Sequence, residues 1–400
     1  MNRSASTLVS GVGAAEIRLK RIAAPLVGTI SLILFLGIAE YILSTFAPIP
    51  DPYQSYKHRE LNHYIRATFP ANFRMITEAE PGLPGLEGQR QFSTNNMGFR
   101  GEHLHHPKPA NEIRVFLVGG STTECFYLDD SEAIDRVLQN ELNQFRGGAT
   151  RVKVYNAGRS GEALDDHLSM IVHRILHLQP DIIVVFSGVN DLTKSIYGFD
   201  YLHYSIERGN SFSLSTLLKF IGTEFQIARR VHSLFHRTGS QSERQILENI
   251  TQVSNYKEKV ALRRAAKTTD DKPRLDLEPY ERNLKSIMGT AKGHNVKLVL
   301  ITQPSTWNGQ DGKSKSWQWM LYRNGVTYRE DHMDAAMESL NRVVRQTATQ
   351  QNIPVYDAAA LMPKTSAFIY DDVHLNVRGA QFIGKGLANL VREKGLIPDA

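Results

Sequence analysis

The chain has 400 residues, 41% hydrophobic and 22% charged, with a formal net charge of +6. Those proportions are ordinary for a globular protein, and the length suits one large domain with appendages. A single cysteine, Cys125, excludes an intrachain disulfide.

Residues 22–39 carry no charge, and apolar character resumes over 41–47. As a helix, eighteen residues span about 27 Å and the longer stretch more, enough to cross a bilayer. Glu40 then falls near the far interface, where a charge costs less than at the centre. Arg3, Arg18, Lys20 and Arg21 precede the run against the one acid Glu16. This excess predicts a cytoplasmic N-terminus (1–21), a transmembrane anchor (22–47) and the remainder across the membrane. A cleaved signal peptide has a shorter apolar core and a small-x-small site, and neither fits cleanly here. A buried core helix is disfavoured by the terminal position and the flanking cations.

Residues 48–112 have scattered Pro and Gly without a sustained period, and read as a tether and packed leader. Within them His103, His105 and His106 read as a solvated loop, because no second ligand pair stands at a metal-binding spacing; no metal is expected. From 113 the pattern alternates. Strand-like runs at 113–118, 152–156, 181–187, 296–302 and 353–357 are separated by helix-like stretches at 132–145, 162–178, 278–294 and 331–351, and 378–394 closes the chain. Strands apolar on both faces, alternating with helices, predict an α/β fold: a doubly wound parallel five-stranded sheet flanked by helices over 113–400. Ligands of such sheets bind beyond the carboxyl ends of the strands.

The alternation breaks at a helix-prone insertion, about 194–275. Between Lys219 and Arg274, twelve Lys and Arg stand against six acids. A solvated helical face, a cap over the active site, and a patch for anionic lipid or polyanionic glycan all fit. A loop after the fourth strand holds Trp307, Trp317, Trp319, Tyr322 and Tyr328. Its aromatics suit stacking on sugar rings or holding an acyl chain, and equally suit anchoring the loop.

Four short segments carry the chemistry: Gly119-Gly120-Ser121-Thr122, Asn156-Ala157-Gly158, Gly188-Val189-Asn190-Asp191 and Asp371-Asp372-Val373-His374. The first three follow the first three predicted strands. A serine at a sharp Gly-rich turn between strand and helix exposes its hydroxyl, which attacks a carbonyl once a base removes its proton. His374 is the candidate base, and Asp371 or its neighbour Asp372 the carboxylate that orients the imidazole. The Ser121 and Gly158 N–H groups and the Asn190 amide are candidate oxyanion donors. Asp191 reads as structural. Cys125, one turn along the helix expected after Ser121, reads as a small packing residue rather than a rival nucleophile.

In this order the segments resemble the SGNH (GDSL-like) hydrolase family, over about 113–390 without the insertion. The family usually has Gly-Asp-Ser at the nucleophile, where this chain has Gly120 in place of the Asp. Gly-Gly-Ser-Thr, with Asn95-Asn96-Met97-Gly98-Phe99-Arg100-Gly101 upstream, is similar to membrane-anchored bacterial members. The resemblance implies an SGNH/flavodoxin-like fold, and its Asp-x-x-His spacing selects Asp371. It implies a serine esterase without cofactor acting on an ester outside the inner membrane, an O-acetyl or other short acyl group on a cell-envelope glycan. An O-acyltransferase using the same acyl-enzyme, and a membrane-tethered assembly subunit with a vestigial site, are the rival readings. Nucleic acid is not an expected partner of a domain outside the cytoplasm.

Overall fold

The computed structural model describes residues 5–48, 69–146, 150–198, 225–235, 255–323 and 325–398. The chain divides into two compact units, residues 1–54 with 209–246, and residues 55–208 with 247–400. Of the basic insertion, 199–224 and 236–254 lie outside the described residues, among them Lys219, Arg237 and Arg244.

In the first unit, helix α1 (Ala5–Phe46) contains Pro25–Phe46, a 22-residue stretch long and apolar enough to cross a membrane. Leu26, Ile30, Ile33, Phe35, Ile38 and Phe46 along it are exposed among the described residues. Glu40 is not left bare. Its carboxylate accepts the first backbone N–H groups of a ten-residue helix, Gln226–Phe235, from Gln226 and from Ile227 at 2.9 Å. A carboxylate at a helix N-terminus satisfies donors the helix itself cannot.

The second unit is built on a five-stranded parallel sheet. Its strands, here β3 (Glu112–Gly119), β4 (Arg151–Asn156) and β5 (Ile182–Phe186), with Lys297–Ile301 and Val355–Tyr356, lie in the order Val355–Tyr356, Lys297–Ile301, β5, β3, β4. That is the 2-1-3-4-5 order of a doubly wound sheet, whose switch point falls between β3 and β5. Both sides are covered, which is why the strands read as continuous apolar runs. Val115 and Leu117 of β3 enter a core with Leu138 and Leu142 of Ile134–Arg146 and Ile383 and Leu387 of Val377–Glu393. Phe116 and Val118 enter the opposite core with Leu164 of Leu164–Met170, Leu284 and Ile287 of Glu278–Gly293, and Met337 and Leu340 of Glu330–Gln351.

Register sets the site. Gly119 of β3 pairs with Phe186 of β5, which pairs with Ile301 of strand Lys297–Ile301, and Leu117 pairs with Asn156 of β4. The strands therefore end level, and the segments after them meet along one edge.

Three expectations need correction. The fifth strand is only Val355–Tyr356, because the chain leaves the sheet at Asp357 to start a one-turn helix, Ala358–Leu361. The helix expected over 162–178 is α-helical only over Leu164–Met170 and then changes pitch, with a π turn at Ile171–Ile175 and a 3₁₀ turn at Leu176–Leu178. The leader is more ordered than its composition suggests. It forms a hairpin of β1 (Arg74–Glu78) and β2 (Gln89–Ser93), then bridges the end of β4 through mutual hydrogen bonds between Arg100 and Asn156. This closes the carboxyl end of an edge strand.

Candidate active site

β3 ends at Gly119, and Ser121–Glu124 forms a single helical turn, here α2. The longer helix expected there does not form. Cys125 takes a left-handed conformation with φ 52°, and the buried Arg100 guanidinium takes the carbonyls of Glu124, Cys125 and Leu128 at 2.8–3.0 Å. A leader arginine thus ends the helix and fixes the nucleophile turn, a role no local pattern announces. Cys125 is buried, and burial pushes its thiol up to about 12, which leaves no nucleophilic thiolate near neutral pH.

His374 comes from the loop between strand Val355–Tyr356 and the last helix. Tyr370 N–H donates to the His374 carbonyl at 2.9 Å, closing the loop on itself, and the Tyr370 ring stacks on the imidazole. Nε2 of His374 lies 2.7 Å from Ser121 Oγ, and Nδ1 lies 2.7 Å from Asp371 Oδ2. With a carboxylate at Nδ1, the neutral ring carries its proton there, leaving Nε2 to accept from the serine. Asp371 is fully buried. Its Oδ1 accepts the N–H groups of Val373 and His374, and Oδ2 also accepts the indole N–H of Trp319 at 3.1 Å. Burial works to raise its pKa, but His374 and these donors hold it below the ordinary carboxylate value.

Asp372 turns the other way. It accepts from the Trp307 indole at 2.6 Å and from the backbone N–H groups of Trp319 and Met320 at 2.7 and 3.0 Å. Burial, and next the negative charge of Asp371, raise it to about 6. Neighbouring acids therefore have separate partners, the imidazole for one and the aromatic loop for the other.

That loop also corrects an expectation. Trp307 is fully buried in the core and cannot stack on a ligand. Trp317 is half-buried and packs against the opposite core. Trp319 alone of the three touches the catalytic constellation, through Asp371. Helix Tyr256–Ala265 of the insertion packs over it: Tyr256 meets Trp319 edge-on and shares a hydroxyl contact of 3.3 Å with Tyr370. This helix turns Tyr256 and Val260 toward the His374 loop and leaves Lys257 and Arg264 exposed on its other face.

On the other side of Ser121, Asn190 is the second residue of helix Val189–Ile196. Its Nδ2 donates to the Glu162 carbonyl at 2.7 Å, which uses one of its two protons. A Cβ on Gly120 would stand 2.6 Å from that nitrogen. A side chain at this position would therefore have to displace the Asn190 amide. Gly120→Ala is expected to keep the fold but lower kcat by about 10², the effect of a misplaced catalytic group, as steady-state kinetics beside a thermal melt would report.

Gly158 approaches so closely that a Cβ would lie 2.4 Å from Glu124 N. Its N–H, expected to point outward, instead donates to Asn156 Oδ1 at 2.8 Å. The same Asn156 donates to Thr123 O at 2.6 Å and to Asp135 at 3.1 Å, clamping the loop to α2. Ser121 N–H lies in the first turn of α2, where a helix provides no acceptor. Asp191 is structural: it accepts from Ser187 Oγ at 2.6 Å and from Leu164 N–H at 3.0 Å.

Among curated proteins, no sequence matches the chain significantly. Solved structures to which the chain is similar include an acetylxylan esterase from Geobacillus stearothermophilus, 17% identical with a TM-score of 0.39, covering 71% of this chain and 94% of that one. A lipase/acylhydrolase from Enterococcus faecalis is also 17% identical with a TM-score of 0.39, covering 70% and 96%. The family model of the GDSL-like lipases and acylhydrolases matches residues 117–382, a span that opens two residues before Gly119 and closes beyond His374. The chain belongs to the GDSL-like lipase/acylhydrolase family and is an ester-hydrolysing serine hydrolase.

Proposed function

We propose that the chain is a membrane-anchored esterase that removes short acyl groups, O-acetyl foremost, from an extracytoplasmic glycan. The observation that carries the chemistry is the unbroken line from Ser121 Oγ through His374 to Asp371, with both contacts at 2.7 Å. Ser121 Oγ attacks the ester carbonyl while His374 Nε2 takes its proton. The intermediate's oxyanion is met by the Ser121 N–H and the remaining proton of Asn190 Nδ2. Collapse expels the sugar alkoxide, which takes the proton from His374 and leaves an acyl-serine. Water, deprotonated by the same nitrogen, attacks the acyl-serine, and the carboxylic acid departs as the proton returns to Ser121. Gly158 serves by close approach, and its N–H joins the oxyanion hole only on leaving Asn156.

Asn190→Ala is expected to lower kcat on an activated ester by roughly 10²–10³, about 3–4 kcal/mol, with little change in KM. A large KM rise at constant kcat would assign Asn190 to ground-state binding instead.

The anchor reading rests on the exposed apolar length of α1 and the cations before it. The full chain is expected to stay in the membrane fraction through carbonate and high-salt washes. A chain lacking residues 1–47 should leave that fraction yet hydrolyse a small ester, because Ser121, Asn190 and His374 belong to the other unit. An alkaline phosphatase fused after Ala400 should be active, and an inactive fusion would reverse the assigned orientation.

A further inference from the structure

Asp371 and His374 are each held by an aromatic side chain, and one residue of the insertion touches both supports. The Trp319 indole N–H donates to Asp371 Oδ2 at 3.1 Å, the oxygen that also meets His374 Nδ1 at 2.7 Å. The Tyr370 ring stacks on the imidazole, 13° from parallel with centroids 5.5 Å apart. Tyr256 meets the Trp319 ring at 80° and 6.3 Å, and the Tyr370 ring at 78° and 5.9 Å. Both are the edge-to-face arrangement that aromatic pairs favour. The Tyr256 hydroxyl also lies 3.3 Å from that of Tyr370.

Neither support is fixed by a regular element of its own. Trp319 lies between helix Gly312–Trp317 and the short strand Tyr322–Arg323, and Tyr370 lies in the loop that carries the base. Asp372 holds the backbone N–H of Trp319 at 2.7 Å, which leaves the direction of the ring to packing. An aromatic side chain turns about two torsions, the second of them soft, so its neighbours decide where it points. Lys259, three residues after Tyr256 and so on the same side of the helix, places Nζ 3.8 Å from the centre of the Trp319 ring. The indole is therefore occupied on its face as well as met by Tyr256, in the direction that reaches Asp371.

The helix that presents Tyr256 is tied at both ends. Asn255 caps it by accepting the Glu258 N–H at 3.1 Å, and the Lys257 N–H donates to Glu80 of the leader at 3.0 Å. At the other end Thr327 Oγ1 donates to the Arg263 carbonyl at 2.7 Å, and Thr268 pairs with Thr327 in a short parallel ladder. Tyr256 itself is only 4% exposed. It is a buried wedge on an anchored helix.

We infer that Tyr256 is a positioning residue of the reaction: through Trp319 and Tyr370 it holds Asp371 and His374 in the alignment that proton transfer from Ser121 requires. The inference rests on the Ser121–His374–Asp371 reading and gives the insertion a part in the chemical step. Tyr256 takes no proton and meets no substrate in this role. It acts on the orientation of the dyad, where a displacement of about 1 Å costs on the order of 10² in rate.

The test uses the full chain in detergent with p-nitrophenyl acetate, and kcat is expressed per site titrated by a fluorophosphonate. Unfolded chain then does not imitate a catalytic loss. Ser121→Ala tests the nucleophile reading by itself: turnover that survives this change ends that reading, whatever the insertion does. Given its loss, Tyr256→Met, which fills the space without an aromatic ring, is expected to lower kcat by about tenfold or more. KM should change by less than about twofold, because only the chemical step is affected. Tyr256→Phe keeps the ring and should hold kcat within about threefold of the wild type. Trp319→Phe removes the indole N–H and should lower kcat by about tenfold. In that background Tyr256→Met should cost markedly less than in the wild type, since residues that act on one contact are not additive. An unchanged kcat in Tyr256→Met, a loss carried by KM, a Tyr256→Phe as impaired as Tyr256→Met, or additive costs in the double variant would each overturn the inference.

Discussion

Replacing Ser121 by alanine is expected to abolish labelling by a fluorophosphonate and to cut turnover of an activated ester by at least about 10³-fold. The covalent step is lost, and only water attack aided by the oxyanion donors remains. Ser121 is partly exposed at the first position of α2, where alanine fits without strain, so the melting temperature should hardly move. Peptide mapping of the labelled wild-type chain should find the adduct on Ser121 and nowhere else. Labelling that survives the substitution would remove the nucleophile assignment and the mechanism with it.

Asp371→Asn and Asp372→Asn are expected to fail in different ways. At Asp371 the amide keeps the shape but loses the charge that stabilises the imidazolium, and it lets the ring adopt the wrong tautomer. A loss of about 10⁴ in kcat is the scale for such a change. At Asp372 each oxygen already faces an N–H: Trp307 on Oδ1, and Trp319 and Met320 on Oδ2. Whichever oxygen becomes an amine therefore meets a donor head-on, a cost of about 1–3 kcal/mol. The expected signature is a fall in melting temperature with a much smaller loss of kcat, transmitted through the Trp319 contact to Asp371. Kinetics and melts on both variants decide the matter. If Asp372→Asn lowers kcat further than Asp371→Asn does, the orienting carboxylate is assigned to the wrong neighbour.

What could be read from the chain by itself was whatever depends on neighbours close in sequence. The strands announce themselves because a parallel sheet buries both faces, so each strand must be apolar throughout. Ser121 follows its strand by two residues, and Asp371 reaches His374 across three, so the turn and the dyad are local geometry. Asn190 stands at the start of a helix directly after a strand, again a local arrangement. The membrane-length helix is similarly legible, since eighteen uncharged residues in a row need no tertiary information.

Tertiary structure decided the rest. Trp307 and Trp319 look alike in sequence, yet one is sealed in the core and the other meets Asp371, because each follows a carboxylate more than fifty residues away. Gly158 carried the right residue for an oxyanion donor, but the direction of its N–H depends on the Asn156 side chain, itself held by Thr123 and Asp135. Arg100 ends the nucleophile helix from a leader that shows no periodicity, and Cys125 owes its inert thiol to the same buried surroundings. Lys259 and Arg323 meet on one indole only after the insertion folds back on the catalytic loop. Periodicity and spacing report which way a residue faces within its own element. Hydrogen-bond direction, burial and charge pairing belong to contacts between elements, and those exist only once the chain has folded.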